Sequence, residues 1–157
     1  MHLFQNAVRR EVSTPSVWIK RELICQIMCT IGALPPESGG ILIGPVGTDR
    51  ITDYFFDSTA KCTSGSYTPD INILKNKMRH DWLPNGLDLK GFAHSHPRGF
   101  DRLSGGDLSY IGRLLAKNPD MAFFAAPIVL PDEFSYRVFV VKADSPHVAR
   151  PTTFRFF

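Results

Sequence analysis

The stretch Leu87-Asp88-Leu89-Lys90-Gly91-Phe92-Ala93-His94-Ser95-His96 constrains this chain more than any other. It reads as one extended strand, and Pro97 stops it. Side chains at i and i+2 of a strand point to the same face, so His94 and His96 stand side by side. A proline disfavours helix at the residue before it, which keeps His96 extended. Downstream, Ser104-Gly105-Gly106-Asp107 opens a helix to about Asn118, with Leu108, Ile111 and Leu115 facing inward. Ser104 is placed to be the N-cap of that helix, which puts Asp107 at the third helical position. Two imidazoles at a strand end are thus followed closely by a carboxylate at a helix start.

The remaining elements follow from periodicity and from turn residues. Leu23, Ile24, Ile27, Met28, Ile31 and Leu34 recur at helical spacing and predict a helix over about 18–34, ended by Pro35-Pro36. Cys25 and Cys29 flank its apolar stripe and read as buried core thiols, because a C-x3-C pair with no neighbouring Cys or His makes a poor zinc site. An apolar strand starts at Gly39-Gly40-Ile41-Leu42-Ile43-Gly44, directly after Glu37 and Ser38, and Ile51 to Phe56 returns as its hairpin partner. Residues 57–69 are polar and rich in turn formers, hence a loop. Asp70 to Trp82 predicts a helix with Ile71, Leu74, Met78 and Trp82 on one face, ended by Pro84-Asn85-Gly86. Met121 to Leu130 and Phe134 to Val141 predict an antiparallel pair. The order is α-β-β-α-β-α-β-β, an α/β chain of the α+β kind. Its 157 residues fit one domain, with an arm at 1–14 and a tail at 143–157.

Composition excludes several classes of function. Eighteen Lys and Arg against fifteen Asp and Glu give a formal charge of +3, with no basic cluster of the kind that binds nucleic acid. No apolar run approaches the ~18 residues that span a membrane, and no basic region precedes an apolar one at the N-terminus. Three cysteines, an odd number, fit reduced thiols. The expected setting is cytoplasmic, with no membrane and no nucleic acid partner.

His94, His96 and Asp107 together offer two neutral imidazoles and one carboxylate, the ligand set expected of a catalytic Zn2+ with an open fourth position for water. Such a site also needs a group that moves protons. Glu37 is the candidate, since its strand is expected beside that of His94, and Gly39-Gly40 allow close backbone approach.

Glu37 with Gly39-Gly40-Ile41-Leu42-Ile43-Gly44, and His94-Ser95-His96-Pro97 with Ser104-Gly105-Gly106-Asp107, resemble the JAMM motif of the MPN-type (JAB) zinc metalloproteases. The ten residues between His96 and Asp107 match that motif, and the order of elements matches across roughly residues 15–142. The resemblance implies an MPN/JAB-like, cytidine-deaminase-like mixed sheet flanked by helices. It implies that His94, His96 and Asp107 bind Zn2+, that Glu37 acts as general base and then acid, and that Ser104 hydrogen-bonds the oxyanion. Family members cleave after the C-terminal glycine of ubiquitin or ubiquitin-like proteins. The small size resembles the prokaryotic branch, members of which occur beside E1-like and E2-like proteins, including in antiphage conjugation systems.

The resemblance thus implies a zinc-dependent isopeptidase or peptidase acting on a ubiquitin-like protein or its conjugate, by deconjugation or precursor processing. Two other readings stand beside it: processing of a sulfur-carrier protein or small amide, and a non-catalytic MPN scaffold. Lys61-Cys62-Thr63-Ser64-Gly65-Ser66-Tyr67 falls where family members shape the channel for the substrate tail, and Arg98 to Leu103 lies where substrate contact is expected. A plain solvated loop is the alternative for both.

Overall fold

A computed structural model describes residues 16–63 and 66–157. The arm at 1–14, and Ser64 and Gly65 of the channel stretch, lie outside these residues. The centre of the fold is a six-stranded mixed sheet in the order β10-β9-β8-β7-β2-β4. Its strands are β2 (Gly39–Pro45), β4 (Asp53–Phe56), β7 (Leu87–Ser95), β8 (Phe123–Leu130), β9 (Ser135–Lys142) and β10 (Ser145–Thr152). Neighbours are antiparallel except β7 and β8, which run parallel.

The middle strands are apolar almost throughout because both faces of the sheet are covered. On one face Ile41, Ile43, Phe92, Phe124 and Ala126 pack beneath α2 (Ile71–Lys77) and α3 (Gly105–Lys117). On the other face Leu42, Ala93, Ala125, Val138 and Val140 pack against α1 (Arg21–Thr30) and a small three-stranded sheet. That small sheet has the order β11-β1-β3, from β11 (Phe154–Phe156), β1 (Val17–Ile19) and β3 (Arg50–Ile51). It lies against the face of the main sheet that α1 covers.

Five sequence expectations differ from what is observed. The first helix does not span 18–34. Val17 and Ile19 are fully buried while Trp18 is not, an alternation with period two that places them in β1, parallel to both β11 and β3. The helix proper covers Arg21–Thr30 and tightens into a 3-10 turn at Ile31–Ala33. Its buried stripe is Leu23, Ile27 and Ile31, so Cys25 and Cys29 fall on the opposite side and are exposed rather than buried. The loop at 57–69 contains a hairpin, β5 (Lys61–Thr63) with β6 (Ser66–Thr68). The tail at 143–157 folds into β10 and β11. Pro146 and Pro151 are tolerated in β10 because it is the sheet's edge strand. The helix from residue 70 begins on the Asp70 cap, but Met78–Trp82 widens into a π turn before Gly86 closes it at φ 71°.

Gly91 controls where β7 points. The β2–β7 register passes from Leu42↔Gly91 to Ile43↔Leu89, leaving Lys90 as an extra residue in a bulge. A Cβ on Gly91 would lie 1.8 Å from the carbonyl oxygen of Ala125, so only glycine allows β7 and β8 this close. Gly91→Ala should therefore cost about 2 kcal/mol or more in urea denaturation. An unchanged midpoint would contradict the packing described.

Candidate functional site

β7 carries His94 on the same face as Phe92, the face covered by α2 and α3. The chain stays extended past the strand's last residue, because His96 N–H donates to the Val129 carbonyl at 2.9 Å and Ser95 N–H to the Ser38 carbonyl at 2.8 Å. His94 and His96 are both buried, at 4% exposure, with their ring centroids 4.7 Å apart and their Nε2 atoms 2.9 Å apart.

The start of β2 brings in Glu37. Ser95 is fully buried, and its Oγ accepts from Ser38 N–H at 2.9 Å. Together with the backbone bond from Ser95 to Ser38, this clips the residue next to Glu37 to the residue between the histidines. Glu37 N–H donates to the Thr63 carbonyl at 3.1 Å, which ties it to β5 as well. Glu37 is buried, and its Oε1 lies 4.0 Å from His96 Nε2.

Asp107 arrives with α3. Ser104 is the N-cap, and the two residues form a reciprocal capping box. Ser104 Oγ accepts from Asp107 N–H at 3.0 Å, and Asp107 Oδ2 accepts from Ser104 N–H at 2.7 Å. The helix end thereby fixes the carboxylate where its partial positive charge favours an anion. Asp107 Oδ1 lies 3.3 Å from His94 Nε2, and Oδ2 lies 3.4 Å from His96 Nε2.

Each of the five residues singled out from sequence is therefore placed at one end of the sheet. Glu37, His94 and His96 form a buried group whose ligand atoms lie within 4.8 Å of one another, and Asp107 touches both histidines. The two imidazole–carboxylate separations match the roughly 3.3–3.4 Å between ligands of a small tetrahedral metal ion, and the two Nε2 atoms stand closer, at 2.9 Å, so the group could hold such an ion. His96 Nδ1 lies 3.0 Å from the Phe100 carbonyl. That oxygen can only accept, so Nδ1 carries a proton; when the ring is neutral Nε2 presents its lone pair to the site, and when the ring is protonated Nε2 donates to Asp107. Glu37 Oε2 and His94 Nδ1 are buried without a hydrogen-bond partner among the described residues. Unpaired buried groups of this kind cost about 1–3 kcal/mol each.

The two carboxylates differ in environment. Burial raises the pKa of Glu37, and the histidines only partly oppose it. Burial acts in the same direction on Asp107, but the hydrogen bonds from His94 and His96 outweigh it and hold Asp107 well below the usual carboxylate range. Burial also presses His96 downward, and the bond and charge of Asp107 reverse that to a net rise. A pair of carboxylates pushed apart in this way separates a permanent anion from a group that exchanges a proton.

Tyr67, from the stretch expected to shape the channel, and Asp57, not singled out from sequence, complete the wall. Tyr67 stacks on His94 with centroids 5.7 Å apart and an angle of 20° between planes. Its ring also covers Gly39, where a Cβ would meet ring atoms at 2.3 Å, so glycine is required there. Tyr67 OH donates to Asp57 Oδ2 at 3.3 Å, and the same oxygen accepts from Asp70 N–H at 3.0 Å. Asp57 is buried and links the ring over His94 to the start of α2. The one sequence signal for this was a single aromatic residue within a polar run. Ser95 carried no signal at all. From Arg98 to Leu103 the structure places an exposed Phe100 next to the site, at 62% exposure, while Leu103 is buried.

Cys62, on β5, has its thiol pKa raised by burial and then by the negative charges of Asp57 and Glu37. A thiol kept protonated is a poor nucleophile. Cys62 should react with iodoacetamide at neutral pH more slowly than a free cysteine peptide does, as followed by mass spectrometry. Faster labelling would contradict this electrostatic picture.

No protein-family model and no curated protein sequence matches the chain. Solved structures do. A Desulfitobacterium hafniense protein known from its solution structure superposes with a TM-score of 0.66 at 18% identity, covering 90% of this chain and 92% of its own. A JAB1/MPN domain protein from Archaeoglobus fulgidus superposes with a TM-score of 0.52 at 21% identity, covering 90% of this chain and 100% of its own. At these identities the likeness concerns the fold. No helix among the described residues is long and apolar enough to cross a membrane. With its mixed sheet flanked by helices, the chain has an MPN-like fold.

Proposed function

We propose that the protein is a JAMM-type zinc hydrolase that cleaves a peptide or isopeptide bond after the C-terminal glycine of a ubiquitin-like protein. The observation that carries this reading is the convergence of two imidazole Nε2 atoms and the Asp107 carboxylate within 2.9–3.4 Å, with a buried Glu37 beside them. His94, His96 and Asp107 hold the metal. Zinc bound there supplies Lewis acidity, which makes a water nucleophilic near neutral pH and polarises a carbonyl.

The chain's own residues do the rest. Glu37 Oε2, buried and unpaired, accepts a proton as water attacks the carbonyl carbon. The raised pKa of Glu37 suits it to hold that proton and pass it to the leaving amine. Ser104 Oγ is already an acceptor for the Asp107 amide, so its hydroxyl proton is free to donate to the oxyanion that forms. Tyr67, held by Asp57 and stacked over His94, narrows the approach so that an unbranched glycine fits where a larger residue would not. A scaffold without catalysis would have no use for this complete set. Association with E1-like and E2-like proteins, and a place in an antiphage system, belong to the same proposal.

Elemental analysis of purified protein should give one zinc per chain, lost in His96→Ala and in Asp107→Ala. Glu37→Gln should keep the zinc, because the residue moves protons rather than binding metal, while hydrolysis of a ubiquitin-like fusion falls by about 100-fold or more. Ser104→Ala should keep zinc and lose less. Zinc lost in Glu37→Gln, or cleavage by metal-free protein, would overturn the assignment.

A further inference from the structure

A second cavity adjoins the candidate site. Between α2 with its π turn on one side and α3 on the other runs a groove of about 1120 Å³. Leu74, Met78, Leu89 and Leu114 give it an aliphatic floor. Around that floor stand Lys61, Lys75, Arg79, Arg113 and Lys117, all exposed. None of the five has an ion pair among the described residues; Arg113 rests on the ring of Tyr110, 5.5 Å from its centroid.

The groove's carboxylates are already engaged. Asp70 caps α2, with Oδ1 accepting from the amides of Asn72 and Ile73 and Oδ2 from the Thr59 hydroxyl. Asp88 Oδ1 accepts from the Leu89 amide. Five cations against these two carboxylates leave an excess of three, equal to the formal charge of the whole chain. The groove lining therefore carries a local excess of positive charge.

The groove opens into the site. Thr68, Pro69, Tyr110 and Arg113 line both it and a smaller cavity of about 230 Å³, whose walls include His94, Ser104 and Asp107. A polypeptide lying in the groove would thus be led toward His94, Ser104 and Asp107.

We propose that this groove docks an acidic, leucine-bearing segment of the polypeptide substrate and delivers the adjoining bond to the site. The proposal rests on the hydrolase reading only for the position of the bond that is cut. Leucine side chains fill the aliphatic floor, and flanking carboxylates meet the unpaired cations. A basic segment is excluded by like charge. Single-stranded nucleic acid finds one aromatic ring, Tyr110, where stacking platforms need several.

Calorimetric titration of the full-length Glu37→Gln protein tests this, because binding is then read without cleavage. The ligand is a synthetic peptide rich in Glu with leucines interspersed and ending in Gly-Gly; its control has Lys for every Glu. The acidic peptide should bind at least about tenfold tighter than the basic one, and more weakly as salt rises. The double variant K75E/R79E, and independently Lys117→Glu on the facing helix, should weaken the acidic peptide about tenfold and strengthen the basic one. That rescue separates charge reversal from misfolding. Equal affinity for both peptides, indifference to all three substitutions, or displacement by single-stranded RNA at lower concentration than peptide would overturn the proposal. Charge-selective binding without any hydrolysis by zinc-loaded wild type would instead sink the hydrolase reading and leave the groove standing. Hydrolysis of a glycine-ended fusion with no charge preference would do the reverse.

Discussion

The docking of the α3 N-terminus over the end of β7 is the contact on which the site depends. Asp107 answers two demands with one carboxylate: it closes the capping box of α3 and it faces both imidazoles. The helix cannot shift without carrying the carboxylate away from the histidines. The histidines cannot shift because β7 is held between β2 and β8 and buried on both faces. A site built on a strand and a helix start is held more firmly than one built on loops. The Ser38–Ser95 clip extends the same logic to Glu37, which follows two prolines just before β2.

That rigidity is bought against electrostatics. Glu37 and two imidazoles are buried together against a half-buried Asp107, and Glu37 Oε2 and His94 Nδ1 lack partners among the described residues. Burial of this kind opposes folding unless something compensates it. Part of the compensation is visible in the bonds to Phe100, Ser104 and Asp107 itself. A cation bound there would supply the remainder, through binding energy available only to the folded chain. The hydrophobic layers on both sides of the sheet hold the fold together, so a metal there would organise the site rather than the domain.

Much of this arrangement was legible in the sequence because it is local. His94 and His96 share a face through strand periodicity alone, and Ser104 with Asp107 follows from helix capping chemistry. Both signals survive any tertiary context. The α+β order was legible for the same reason. What escaped was set by long-range pairing. Val17–Ile19 is a strand only because β3 and β11 flank it, and β10 exists only because the edge of β9 is open to it. The apolar stripe of α1 was read one residue too widely, which put Cys25 and Cys29 inside. Tyr67 was legible only as part of a channel stretch and Asp57 not at all, because their role is a stacking and a hydrogen bond between segments ten residues apart, with no spacing rule behind either.

The central claim is that His94, His96 and Asp107 bind a metal while Glu37 does not. Zinc K-edge X-ray absorption on the zinc-loaded protein tests it most directly. The account predicts nitrogen and oxygen scatterers at about 2.0–2.1 Å, two imidazole rings in the outer shells and no sulfur. It also predicts that Glu37→Gln leaves the spectrum unchanged while Asp107→Asn alters it. A spectrum with sulfur, with one imidazole, or with a first shell that changes in Glu37→Gln and persists in Asp107→Asn would contradict it.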